Sequence, residues 1–393
     1  MKQKTLLIIF GLLTGATMMA QETIVLNKGT IYCSRVLQDT LLVSTDNGIY
    51  SYALKEDNPN WEEYAFQGMR IVDFVKSGGK LMVVRQEGSA HGVDQTEHLL
   101  LSTDRGETIN DITPSDATYS AYIGGIGFRL MPDSPDHVYI VYTTESTTNG
   151  VGIRETVDFG SKWTSAQQTD SDKGWFAVDP LNPNHILVYG SNTDAATNLI
   201  RETKDGFQTL GILSYDVAEG KSFLFKRMEY SPASNQTLLA ATTTGLIKSI
   251  DNGLTWQYKI NTSDDSHYGF DNFIFNTENA FEVYAYCSIH ENQAYKVGIF
   301  RSIDLGDSWN LVSEMTLDER PVDMLLSNGK LLFVCASNLV YSVATIELTN
   351  SISTNSTSNP SKQGICYDLS GKAVRKSQKN KVIIQNGKKY IVK

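Results

Sequence analysis

The chain has 393 residues, 41% hydrophobic and 20% charged, so it can bury a core and is not disordered as a whole. Its 34 Lys and Arg are outnumbered by 44 Asp and Glu, and the net charge of -10 argues against binding nucleic acid through phosphate neutralisation and disfavours anionic lipid surfaces. With 30 Gly, 9 Pro and 10% aromatic residues, the composition suits many strands joined by tight turns.

The chain opens on a signal-peptide pattern. Lys2 and Lys4 precede an apolar or small run from Thr5 to Ala20, too short to span a bilayer comfortably, with cleavage expected after Ala20. No Cys follows that cut to carry a lipid anchor, and no later stretch reads as a transmembrane segment. The expected location is secreted or cell surface, with the periplasm as the alternative. Four Cys follow: Cys33, Cys287, Cys335 and Cys366, without metal-like spacing. Three lie in apolar strand-like runs and are expected as buried thiols; Cys33 with Cys335 is the one pair considered for a disulfide. No metal site and no cofactor is expected.

One pattern recurs seven times, an apolar strand followed by a hairpin and a second strand. The apolar strands begin at Leu41, Leu81, Val138, Ile186, Leu238, Val283 and Leu331, at spacings of 40 to 57 residues. That period fits a four-stranded propeller blade. The fold expected is all-β, a seven-bladed β-propeller over residues 21–348, with six or eight blades as the alternative. The last repeat offers only three strands of its own, so the first mature strand, Glu22 to Asn27, is expected to close the ring as its outer strand.

A second motif, S-x-D-x-G-x-T-W, follows the hairpin in five of the repeats and has degenerated in the first. Ser249 to Trp256 fits it completely, and Ser302 to Trp309 has Ser in place of Thr. Ser102 to Ile109 lacks the Trp, Thr156 to Trp163 keeps Asp158, Gly160 and Trp163, and Thr203 to Thr209 reads as one residue shorter. Asp accepts hydrogen bonds from turn amides, Gly permits φ > 0, and the Trp is expected as an apolar wedge on its own blade. The motif resembles the Asp-box, or BNR, repeat, over roughly Glu22 to Leu348. On that resemblance Asp104, Asp158, Asp205, Asp251 and Asp304, with Trp163, Trp256 and Trp309, are structural; the competing expectation makes Asp251 or Asp304 a catalytic acid.

Asp-box turns would share one propeller face. The opposite face would carry the loops between blades and the longer hairpins, at Glu87 to His98, Thr143 to Gly152, Ser191 to Asn198 and Ser288 to Tyr295. Around its funnel the sequence places aromatic candidates for ligand binding, Tyr119, Tyr122, Trp175, His267 and Tyr268, and carboxylates, Asp172, Asp264 and Asp265. Rings that stack on sugar faces beside acids that accept from hydroxyls are the equipment of carbohydrate recognition.

A Ser/Thr/Asn-rich linker, 349–362, leads to a short basic tail, 363–393, in which Ser370-Gly371 and Asn386-Gly387 mark turns between β-prone residues. Tyr367 to Gly371 and Asn386 to Lys389 are similar to the C-terminal tails of secreted Bacteroidetes proteins. That resemblance implies a type IX sorting signal; a solvated basic tail is the alternative.

Asp-box propellers include sialidases, xyloglucan-cleaving hydrolases and receptors, so the fold does not choose a function. The nearest string to the sialidase Phe-Arg-Ile-Pro motif, Phe128 to Pro132, has one extra residue and lies in the third repeat. The six His show no metal-ligand spacing, and His137 and His185 precede equivalent strands as structural residues would. The expected function is a non-catalytic propeller binding a glycan or an envelope or extracellular protein. The alternative is a glycoside hydrolase pairing Asp172 with Asp264 or Asp265, which would need to stand about 5 to 10 Å apart.

Overall fold

The computed structural model describes residues 22–344, except 57–58, 89–95, 116–126, 132–133, 144–150, 165–166, 170–174, 192–197, 219–222, 263–268 and 292, and four short strands between 366 and 392. The expected signal peptide, 1–20, and linker, 349–362, lie outside the described residues. The chain divides into two compact units, residues 1–349 and 350–393.

The first unit is an all-β propeller. Its described residues form seven consecutive sheets, six of four strands and one, the fifth, of five. Their first strands are Ile31–Leu37, Ile71–Ser77, Gly127–Met131, Trp175–Val178, Phe225–Tyr230, Phe270–Asn276 and Pro321–Ser327. First strands of neighbouring sheets touch from four through seven to one and on to three, which makes them the inner strands. The seven apolar runs of the sequence all fall in the second strands, for example Thr40–Thr45, Leu238–Thr242 and Lys330–Cys335.

The burial pattern explains why those runs do not alternate. A strand with a sheet packed on each face has no polar side. Leu238–Thr242 and Gly245–Ser249 are buried at every position, whereas the outer strand Thr255–Asn261 alternates between exposed and buried. The apolar clusters lie between sheets rather than within them. Leu42, Ile49 and Phe74 join sheets one and two, and Val84, Val138 and Phe159 join sheets two and three. The series runs on to a cluster of Val334 and Val340 with Leu41 and Val43, which joins sheet seven back to sheet one.

The N-terminal strand completes the seventh sheet, as the sequence leads one to expect. Glu22–Val25 pairs antiparallel with the sheet's third strand, from Glu22 opposite Ser342 to Val25 opposite Leu339. Ile24 and Leu26 are buried in the cluster between sheets seven and one, so this strand covers an edge that would otherwise be open. The sequence gives no hint of the fifth sheet's extra strand, Asp216–Val217, which runs parallel to Thr255 and Trp256.

The second unit is a four-stranded sheet ordered Ala373–Val374, Cys366–Tyr367, Lys381–Gln385, Lys388–Val392. Gln385 pairs with Lys388, which leaves Asn386-Gly387 as a two-residue connection.

Candidate functional site

The recurring acidic turns connect third to fourth strands in sheets two to six. In the second sheet Ser102 Oγ donates to Asp104 Oδ1 at 2.8 Å and accepts the Gly106 N–H at 2.8 Å, while Asp104 Oδ1 accepts the Thr108 N–H at 2.8 Å. The same three bonds recur around Asp158, Asp205, Asp251 and Asp304, at 2.8 to 2.9 Å. The turn at Asp205 is therefore full length, contrary to the reading from sequence. Its Gly has moved one place forward, so that Phe207 takes the usual glycine position at φ 65°.

These turns fasten each sheet to the one before it. A Cβ on Gly253 would lie 3.3 Å from Leu187 and 3.5 Å from Leu213, both in sheet four, and one on Gly306 would lie 2.7 Å from Leu239 in sheet five. The φ of 84° and 81° favours Gly at both, and at Gly306 the close approach to Leu239 adds to it. Trp256 is buried among Leu187, Tyr189 and Leu213 of sheet four as well as Leu238 of its own sheet, and its Nε1–H donates to Gly253 O at 2.9 Å. Trp163 and Trp309 likewise pack on clusters shared with the preceding sheet. Each Trp thus packs on its own sheet, as expected from sequence, and on the preceding one as well.

The carboxylates are spent in the turns. Asp251 accepts from Thr255 N and Ser249 Oγ on one oxygen and from Thr255 Oγ1 at 2.6 Å on the other. Asp304 is bound the same way by Ser302 and Ser308. Hydrogen bonds from Thr108, then from Ser102, hold the Asp104 carboxyl down to about 2. The amides of Phe159, Asn252 and Leu305 reach the hairpins between first and second strands, donating to Asp136 O, Gln236 O and Phe281 O.

A cavity of about 590 Å³ lies at the other end of the inner strands. It is lined by their first residues, where the chain arrives from the preceding sheet. Because successive strands are antiparallel, the acidic turns sit at the opposite end. Five inner strands share one irregularity here, a register shift between Ile31/Cys33, Ile71/Asp73, Phe225/Arg227, Phe270/Asn272 and Pro321/Asp323. Such a bulge re-aims a side chain and leaves an amide without its ladder partner. Asp73, Asn272 and Asp323 each accept the following N–H, from Phe74, Phe273 and Met324, at 2.8 Å.

Around this ring the polar groups interlock across sheets. Asp73 Oδ1 also accepts from Cys33 Sγ and Arg35 Nη2, both at 3.2 Å. Asp323 accepts from Ser34 Oγ at 2.9 Å and Asn272 Nδ2 at 3.3 Å. Asp271 holds Lys226 Nζ at 2.9 Å, Arg320 Nη2 at 2.5 Å, and both the amide and the hydroxyl of Ser288. Arg227 grips Glu229 through Nε and Nη2 and lies over the ring of Phe273.

Of the ligand-binding candidates read from sequence, Trp175 reaches this cavity: it starts the inner strand of sheet four and is 45% exposed. Tyr119, Tyr122, His267 and Tyr268, with Asp172, Asp264 and Asp265, lie outside the described residues. The hairpin expected at Ser288 to Tyr295 is not a loop: strand runs to Glu291 and resumes at Ala294, paired with each other. Cys33, Cys287 and Cys335 are free thiols, so the Cys33–Cys335 pair is not bridged. Burial pushes Cys287 and Cys335 up to about 12. His137 and His185 pair with Glu155 and Glu202 across matching strands, in structural roles. Among the described residues no group of His, Cys, Asp or Glu is placed to hold a metal ion, and no helix is long and apolar enough to cross a membrane.

Sequence reasoning missed Arg35, Asp73, Lys226, Arg227, Asp271 and Asp323. The signal was present: an acid set inside a strand, as in Ile71-Val72-Asp73-Phe74 and Pro321-Val322-Asp323-Met324, is out of place unless it faces a cavity.

No family model and no curated protein matches the chain. Solved structures do. The GH74 xyloglucanase from Xanthomonas campestris superposes with a TM-score of 0.57 at 11% identity, over 93% of this chain and 59% of that one. This chain is a β-propeller. A PL25 ulvan lyase bound to a glucuronate–sulfated rhamnose unit gives a TM-score of 0.51 at 9% identity, over 85% of this chain and 100% of that one. A prolyl endopeptidase gives 0.52 at 11% identity, over 91% of this chain and 54% of that one. The propeller thus spans somewhat more than half the length of the xyloglucanase and the peptidase. Identities this low carry the fold and no activity.

Proposed function

We propose that the protein is a secreted or cell-surface propeller of seven blades, one for each sheet, that binds carbohydrate in its axial cavity without performing chemistry on it. Asp-box turns fasten the blades. The lysine-led apolar N-terminus supports export, and the basic tail's likeness to type IX sorting tails supports display at the surface. The observation that carries the binding role is the cavity itself. The half-exposed ring of Trp175 stands beside a circle of fixed donors and acceptors, Ser34, Asn272 and Arg227 among them. A volume of about 590 Å³ is within the usual range of ligand sites. An aromatic face with convergent polar groups suits a sugar ring, which is apolar on its faces and polar at its edge.

The hydrolase alternative asks for a carboxyl free to give or take a proton. Asp73, Asp271 and Asp323 each already hold three or more donors, which supports binding rather than proton transfer. The test incubates the mature chain with a glycan array and with sialyl and β-glucan substrates. Binding without turnover is expected, and Trp175→Ala should weaken the binding. Turnover that disappears in Asp172→Ala or Asp264→Ala would replace this reading with the hydrolase. A blank array together with capture of one envelope protein would replace it with a protein-binding propeller.

A further inference from the structure

The charges around the cavity are arranged unevenly. Acids and bases are close in number there, and for two of the three lining bases the paired acid sits back and the base stands forward; Arg227 and Glu229 are about equally exposed, at 30% and 35%. Asp271 has a side-chain exposure of 5%, against 27% for its partner Lys226 and 53% for its partner Arg320. Asp73 is at 16% and Arg35 at 32%. Asp73, Asp271 and Asp323 are also saturated, whereas the bases are not. Lys226 Nζ gives one of its three N–H groups to Asp271. Arg35 uses Nε and Nη2, toward Phe74 O and Asp73, and Arg227 uses the same two nitrogens toward Glu229. In both guanidinium groups Nη1 has no partner among the described residues. A ligand entering this cavity therefore meets Lys226 and Arg35 held in place by less exposed carboxylates, with Arg227 beside them.

Such donors form their strongest bonds with an anionic acceptor, and a guanidinium matches the two oxygens of a carboxylate or sulfate. Resting on the carbohydrate-binding reading, we propose that the cavity selects acidic saccharides, with Lys226, Arg227 and Arg35 taking a carboxylate or sulfate ester and Trp175 taking the sugar face. A free phosphate or sulfate ion would leave Trp175, on a different sheet from all three bases, without a role. A neutral sugar would leave the spare N–H groups of the bases facing hydroxyls, which are weaker acceptors.

The experiment is calorimetric titration of the mature chain with trigalacturonate and with its fully methyl-esterified form, which has the same shape and no charge. The acid should bind at least tenfold more tightly, and the preference should shrink as salt rises from about 0.05 to 0.5 M. Lys226→Gln and Arg227→Gln should each lower the affinity for the acid several-fold more than the affinity for the neutral form, so that the preference shrinks. Lys226→Gln is the safer variant for folding, because Arg320 still neutralises Asp271. Trp175→Ala should weaken both forms equally. Binding of a sulfated disaccharide but not of trigalacturonate assigns the same donors to sulfate. Equal affinity for the charged and esterified forms, or binding confined to neutral β-glucan oligosaccharides, overturns the anion selection and leaves carbohydrate binding standing. Failure of every saccharide to bind overturns both, as does an oligoglutamate peptide that binds more tightly than any of them.

Discussion

The segment from Glu22 to Leu26, with its strand Glu22–Val25, covers the edge of the seventh sheet, and weakening it tests the architecture directly. Ile24 and Leu26 are buried between sheets seven and one, at 7% and 4% exposure. Truncating a buried Ile or Leu to Ala costs about 2–5 kcal/mol, toward the upper end where the surroundings cannot collapse into the space. The wedge here lies between two sheets that are each fixed by their own ladders, so Ile24→Ala is expected at about 3–4 kcal/mol. The double variant with Leu26→Ala should not cost twice that. Once the loss exceeds the free energy of docking the strand, the strand detaches and takes no further part. The double variant and a chain lacking residues 21–26 should therefore share one urea midpoint, below that of Ile24→Ala. Both should also dimerise or aggregate on gel filtration, because Leu339–Ala344 is left as an unpaired edge. Val25→Ala is the control: Val25 is 46% exposed and its truncation should change stability by no more than about 0.5 kcal/mol. A chain lacking 21–26 that keeps the intact midpoint and stays monomeric would refute closure by this strand.

Other outcomes follow from the turns, the wedges and the thiols. Trp256→Ala should cost about 3–5 kcal/mol in urea unfolding, while Trp175→Ala should scarcely move the midpoint, since that ring is half exposed. Equal losses would contradict the assignment of one to the joint and the other to the ligand. Gly306→Ala should destabilise through both its φ of 81° and the 2.7 Å approach to Leu239, and a neutral result would show that sheets five and six can part at that turn. Asp104 is held at about 2 in the fold against an ordinary 3.8, so its contribution is present above pH 4 and is lost as pH falls through 2. Thermal midpoints should fall over that window, less steeply in Asp104→Asn; parallel curves would refute the turn's role. In a Cys366→Ser chain, Cys287 and Cys335 should react with a thiol reagent only after unfolding, and reductant should leave the melting midpoint unchanged.

The parts of this protein legible in its sequence are those whose physics is local. An apolar run reads as a strand covered on both faces, and all seven runs lie in second strands. The acidic turn is closed by bonds that span at most four residues, so Ser102, Asp104, Gly106 and Thr108 announce it wherever they stand together. Even the ring closure could be anticipated, because the last repeat lacked a strand and the first segment had one to spare. The tertiary structure decided what depends on sheets meeting. The Trp wedges look local in sequence, yet Trp256 is buried in a cluster shared between its own sheet and the sheet before it. The cavity brings together Arg35, Asp73, Lys226, Asp271 and Asp323, separated by up to 288 positions and matched only by their places at the start of inner strands. No spacing rule along the chain encodes that neighbourhood. It arises because the sheets of a propeller turn about one axis and bring the same end of their inner strands to the same place.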